Sequence, residues 1–106
     1  MNRVKIFSIL MVGAVCAPLA AQAADKGKII YGVGNCFIIE TSKGKTLFER
    51  SGGELPKPGE TASGVLHDFG YQQLYDAKGK ELMVGFVQDY NVQKPENIES
   101  FKKSCR

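Results

Sequence analysis

From residue 28 to residue 92 the chain alternates short β-rich runs with compact turn signals, and this punctuation constrains its fold more than any other feature. "KIIYGV" (28–33) gives way at Gly34-Asn35 and "CFIIET" (36–41) resumes. Gly32 and Gly34 stand so close together that they suggest a bulge or sharp bend in one long strand. Ser42-Lys43-Gly44-Lys45 reads as a hairpin turn, with "TLFER" (46–50) as the returning strand. "SGGELPKPGE" (51–60) carries two glycines and two prolines and reads as a loop. "ETASGVL" (60–66) and "YQQLYD" (71–76) supply a third and a fourth strand. After the turn Ala77-Lys78-Gly79-Lys80, "ELMVGFVQDYNV" (81–92) supplies a fifth. Runs and turns at this spacing predict a mainly β chain of five strands, a small barrel or a sandwich rather than βαβ units, with the five-stranded small barrel as the expectation.

Residues 36–39 and 82–87 are apolar at every other position and at the positions between. Only one face of a barrel strand lines the interior, so something must cover the other. The segment "PENIESFKKSCR" (95–106) offers a cover. Pro95 suits a first helical position, and Glu96 and Glu99 favour the N-terminal turns, so a helix is expected over 95–104. Glu99 and Lys103 stand at a weakly stabilising i,i+4 spacing. Ile98, Phe101 and Cys105 share one helical face.

The N-terminus reads differently. Arg3 and Lys5 precede an apolar run over 6–15, Pro18 breaks it, and Ala21-Gln22-Ala23 offers the small residues a signal peptidase reads. This is the layout of a cleaved Sec-type signal peptide over 1–23, too short to be a membrane span. The residues before Cys16 lack the leucine expected for lipid attachment. Cleavage after Ala23 leaves one small domain, residues 24–106, in the periplasm or secreted, with no stable membrane insertion. Removing Arg3 and Lys5 from the 14 basic residues leaves 12 against 11 acidic ones, a net charge of +1. A bulk positive charge for nucleic acid is therefore lacking, and nucleic acid is not an expected partner.

Export also removes Cys16 and leaves Cys36 and Cys105, which read first as one disulfide. Closing the chain between those positions is worth roughly 4 kcal/mol in the chain-entropy model, a large share of the stability of so small a domain. The bond would pin a helix too short to persist alone. No C-x-x-C pair favours redox chemistry, and two cysteines with one distant histidine make no four-ligand metal site.

Catalytic constellations are hard to assemble. His67 neighbours Asp68, but adjacent strand residues point to opposite faces and make no dyad. Ser51 and Ser63 sit outside any G-x-S-x-G elbow, and the carboxylates form no pair in an apolar setting. Gly32 and Gly34 form a G-x-G without the third glycine and helix of a phosphate cradle. Lys-Gly-Lys occurs three times, at 26–28, 43–45 and 78–80, where solvated turn and edge lysines are the ordinary outcome. No cofactor and no metal is expected. The aromatics lead further: Tyr31, Phe69, Tyr71, Tyr75 and Tyr90 lie on or beside strands, and Tyr71 and Tyr75 share strand parity. Tyrosines on a sheet face suit stacking against sugars, bases or a partner chain.

The segment "KPGETASGVLHDFGYQQLYDAKGKELMVGF" (57–86) resembles the middle of an OB-fold barrel: a Pro-Gly-acid turn, a strand ending in Gly-x-Leu, a hairpin and a final apolar strand. An SH3-like barrel fits nearly as well. The exported pattern is similar to small exported bacterial proteins with OB-fold-like barrels and no assigned function. That resemblance implies ligands such as oligonucleotides or oligosaccharides on a strand face, and the near-neutral charge departs from the nucleic-acid binders. The expectation is a non-enzymatic binding module of the bacterial envelope whose partner is an envelope protein, a peptide or a glycan. Contact is expected at the loop 51–60 and on the face carrying Tyr71 and Tyr75, with Tyr31 and His67 as further candidates. A small hydrolase or inhibitor using His67, and a structural or stress-related envelope protein, are the alternatives.

Overall fold

The structure is a computed structural model that describes residues 25–105. The expected signal peptide, its expected cleavage site and Cys16 lie outside the described residues. Six strands, β1 (Asp25–Val33), β2 (Cys36–Thr41), β3 (Gly44–Gly53), β4 (Thr61–Gly64), β5 (Gly70–Tyr75) and β6 (Glu81–Val92), precede one helix, α1 (Pro95–Ser104). They close a barrel in the order β1-β2-β3-β6-β5-β4, with every neighbouring pair antiparallel. Two three-strand meanders therefore face each other, and the link from β3 to β4 returns the chain to the side of β1, as in a Greek key.

The barrel has six strands, not five, and the difference lies at Gly34-Asn35. These residues do not bend one long strand. They form a two-residue hairpin in which Val33 pairs with Cys36 and Gly32 with Phe37. Gly34 has φ 62°, the positive value that a II′-type hairpin requires at its first central residue. A smaller irregularity does remain in β1, between Ile29 and Tyr31. β3 also runs further than the "TLFER" segment: its pairing with β6 continues to Gly53, opposite Met83. The loop between β3 and β4 thus shortens to 54–60.

All four residues Cys36, Phe37, Ile38 and Ile39 are buried, because β2 is covered on both sides. Phe37 and Ile39 point into the barrel with Ile29, Phe48, Leu74 and Met83. Cys36 and Ile38 point outward into a second cluster with Leu47, Val92 and Phe101. Helix α1 supplies that cover, starting at Pro95 with Glu96 in its first turn and Lys102 and Lys103 in its last, as the macrodipole favours. Cys105 follows the helix and bonds to Cys36, with Cα atoms 5.8 Å apart. The acid of the helix pairs differently from its spacing with Lys103: Glu99 meets Lys102 at 3.6 Å. Lys102 Nζ also stands 4.7 Å from the centre of the Tyr31 ring.

One end of the barrel is plugged by the link from β4 to β5. Leu66 is fully buried there. The Thr46 hydroxyl donates to the Leu66 carbonyl at 2.9 Å, and the Leu66 amide donates to the Asp25 carboxylate at 3.4 Å. The ladder between β4 and β5 has a single registered pair, Ser63 with Tyr75, so this is the most weakly paired seam of the barrel. β3 and β6 cross closely at Gly85, where a Cβ would overlap the Glu49 carbonyl oxygen and stand 2.8 Å from Arg50 Cα.

Candidate functional site

Helix α1 covers the end of β6 at Val92 but does not reach the outward face that β5 shares with β6 at Val84 and Phe86. Tyr71 lies directly across from Phe86, and Gln73 across from Val84. The Tyr71 and Phe86 rings meet edge to face, 4.9 Å between centroids, a favoured aromatic geometry. Both rings are nonetheless open to solvent, Tyr71 at 57% and Phe86 at 45%. Ser51 on β3 borders the pair, its hydroxyl 3.4 Å from the Tyr71 hydroxyl and 3.3 Å from the Val84 carbonyl. Tyr75 is on the same side of β5, two side chains along, and is also exposed. Its strand slips register at Leu74, so Tyr75 faces Glu81.

Next to Val84 the surface sinks into a shallow groove of about 260 Å³, lined by Gly53, Glu54, Gln73, Glu81, Leu82 and Val84. It runs into a hollow of about 350 Å³ that adds Leu55, Pro56, Glu60, Asp76 and Lys80. Four of these residues are acidic, but they differ in how their charge is used. Glu60 accepts the Lys57 amide at 2.9 Å. Asp76 accepts the amides of Lys78 and Lys80, at 2.8 and 2.9 Å. The Lys80 amide first, then the Lys78 amide and the two lysine charges, hold the Asp76 carboxyl below its ordinary range. No hydrogen bond or ion pair to the Glu54 and Glu81 carboxylates occurs among the described residues, and both side chains are exposed. Arg50 forms no ion pair with either; its guanidinium donates to the Glu54 and Gly53 carbonyls and to Asn35 Oδ1.

Tyr31 and His67 lie elsewhere. Tyr31 packs against the helix-covered cluster, with Lys102 over its ring. His67 sits at the plugged end of the barrel, with only 16% of its side chain exposed. Its neighbour Asp68 is not its partner. Nδ1 stands 2.9 Å from Asp25 Oδ2, off the ring N–H axis, and Nε2 stands 3.3 Å from Thr41 Oγ1. Hydroxyl, imidazole and carboxylate thus occur in the order that a nucleophilic triad uses. The Thr41 hydroxyl, however, donates its proton to the Gly44 carbonyl at 2.9 Å and accepts the Lys43 amide at 3.1 Å. It can then only accept from His67, which leaves Nε2 no proton to remove. The cluster ties the start of β1 and the end of β2 to the plug. Tyr90 continues it, edge-on to His67 at 6.1 Å and 4.9 Å from the exposed Phe69 ring.

Of the four candidate contact residues, the fold brings Tyr71 and Tyr75 to one face and sends Tyr31 and His67 to two others. It adds Phe86, Val84 and Glu81, which sequence reasoning did not single out, and sets Glu54 of the expected contact loop beside Val84 and Glu81. The apolar run over 82–87 carried a signal for the first two, since its second face needed a cover that α1 does not supply. Comparison of the chain with protein-family models, with curated proteins and with solved structures gives no significant match. The reading of the site accordingly rests on its own geometry.

Proposed function

We propose that this protein is a small exported binding module of the bacterial envelope, without catalytic activity, that contacts its partner through the outer face of β5 and β6. One observation carries the reading. α1 and its disulfide cover the outward apolar area on β2, while Tyr71 and Phe86, paired across two central strands of the sheet, stay bare beside a half-buried Val84. A bare aromatic pair on a rigid sheet suits recognition, because its rings contribute area while losing few rotamers. From the OB-fold resemblance the proposal keeps only the use of a strand face for ligand; the strand count departs from that family. Export agrees with the joined pair Cys36 and Cys105, since such bonds persist in oxidising compartments.

The test is amide chemical-shift mapping of the oxidised protein against envelope fractions separated into protein, peptide and glycan pools. Shifts should cluster on β5 and β6, and Tyr71→Ala with Phe86→Ala should abolish them while the circular dichroism spectrum is kept. Undiminished binding by that double variant would remove the site assignment.

A further inference from the structure

The face and the groove beside it are continuous, and together they describe a ligand. Val84 belongs to both: it flanks the Tyr71–Phe86 pair on β6 and lines the groove that holds Glu54 and Glu81. An apolar platform therefore opens into an acidic trough. Within that trough Glu60 and Asp76 already hold backbone amides, whereas the Glu54 and Glu81 carboxylates make no hydrogen bond or ion pair among the described residues. Exposed carboxylates so placed repel phosphate and anionic lipid and attract cations.

We infer that the occupant is an extended peptide segment of a partner protein, with one large apolar side chain on Tyr71–Phe86 and lysine or arginine side chains in the Glu54–Glu81 groove. This rests on the binding-face reading above and specifies its partner. The spacing follows from strand geometry. Phe86 and Val84 are successive outward residues, so their side chains stand about 7 Å apart, and Glu81 lies about 16 Å from Phe86 along β6. An extended peptide presents every second side chain to one face, again about 7 Å apart. An apolar residue at position i on the aromatic pair then brings positions i+2 and i+4 over Val84–Gln73 and Glu81–Glu54. The recognised pattern is an apolar residue followed by basic residues at i+2 and i+4, the i+4 side chain over Glu81–Glu54 and the i+2 side chain extending from Val84–Gln73 toward the same carboxylates, so that the peptide runs antiparallel to β6.

The experiment titrates the oxidised, isotope-labelled protein with Ac-Gly-Phe-Ser-Lys-Ser-Lys-Gly-NH2 and with the same peptide carrying glutamine or glutamate in place of lysine. Chitohexaose and a dilution series of the protein alone complete the set. The lysine peptide should shift the amides of Tyr71, Val84 and Phe86 together with those of Glu54 and Glu81. Two exposed ion pairs predict binding about fivefold to tenfold tighter than for the glutamine peptide at about 50 mM salt, an advantage that fades at about 500 mM. Glu54→Gln with Glu81→Gln should erase the advantage and leave the glutamine peptide's affinity unchanged. Equal affinity for lysine and glutamine peptides overturns the charge inference and leaves the face reading intact. So does a response of the same amides to chitohexaose alone, or to protein concentration alone, which assigns the face to a glycan or to a second copy of the chain. If no probe moves Tyr71, Val84 or Phe86, the inference and the face reading fall together.

Discussion

Replacing Cys36 and Cys105 by alanine tests how the barrel holds its helix. The bond joins residues separated by 69 positions, and closing a loop of that length lowers the entropy of the unfolded chain by an amount worth roughly 4 kcal/mol. Domains of this size are stable by about 5–10 kcal/mol, so the loss should be a large share of the whole. A second effect is local. α1 has 10 residues, below the length at which a helix persists unaided, and its buried contact is Phe101. Once untethered, the helix can lift away without the barrel unfolding, exposing Ile38, Leu47 and Val92. Urea unfolding followed by circular dichroism should show a midpoint lowered by the equivalent of about 3–4 kcal/mol. Amide exchange in 95–104 should accelerate well beyond that of β2, β3 and β6. Phe101→Ala should cost about 3 kcal/mol in the oxidised protein and distinctly less in the reduced background, because both changes act on one docking event. If the alanine pair shifts the midpoint by less than about 0.5 kcal/mol and the helix amides stay protected, the tether account is wrong.

Two other changes probe the barrel itself. Gly85→Ala should destabilise by about 3 kcal/mol or more, since its Cβ would meet the backbone of Glu49 and Arg50, which no rotamer change can move; an unchanged thermal midpoint would contradict the close crossing of β3 and β6. Asp76 has a folded-state pKa below its ordinary 3.8, so its ionised form stabilises the turn before β6 in full above that value, and the contribution is lost as pH falls through the folded value. The difference in melting temperature between the protein and Asp76→Asn should be constant above about pH 5 and close below 3.8; a difference that persists into strong acid would refute the role of the carboxylate.

The helix is legible in the sequence because several local signals agree: Pro95 at its start, acid in its first turn, and Ile98, Phe101 and Cys105 on one face. β6 is legible from end to end for a similar reason, a long β-rich run bounded by a glycine turn. At Gly34-Asn35 sequence and fold part company. A two-residue Gly-Asn link between apolar runs is a hairpin signal, but both flanking runs are apolar enough to suit a bent strand as well. Only the pairing of Val33 with Cys36 separates the two, and that pairing depends on β3 and β4 taking the outer edges of β1 and β2.

At the candidate site, strand parity alone places Tyr71 and Tyr75 together, because alternation along one strand is a local rule. Parity does not rank Tyr31 against them, since an exposed and a helix-packed tyrosine look alike in sequence. Nor does it find Asp25 for His67, or Glu54 for Val84 and Glu81, which only the pairing of distant strands brings together.

The sequence by itself determined the repertoire: short strands, one helix after them, a cysteine on a strand and another beside that helix, and more apolar strand faces than a barrel interior can hold. Those are consequences of periodicity, turn chemistry and composition, which act over a few residues. Only the tertiary structure decided which surplus face is buried and which is left bare. The helix is tethered at Cys36 and reaches no further than its 10 residues, so it covers β2 and leaves Tyr71 and Phe86 to solvent.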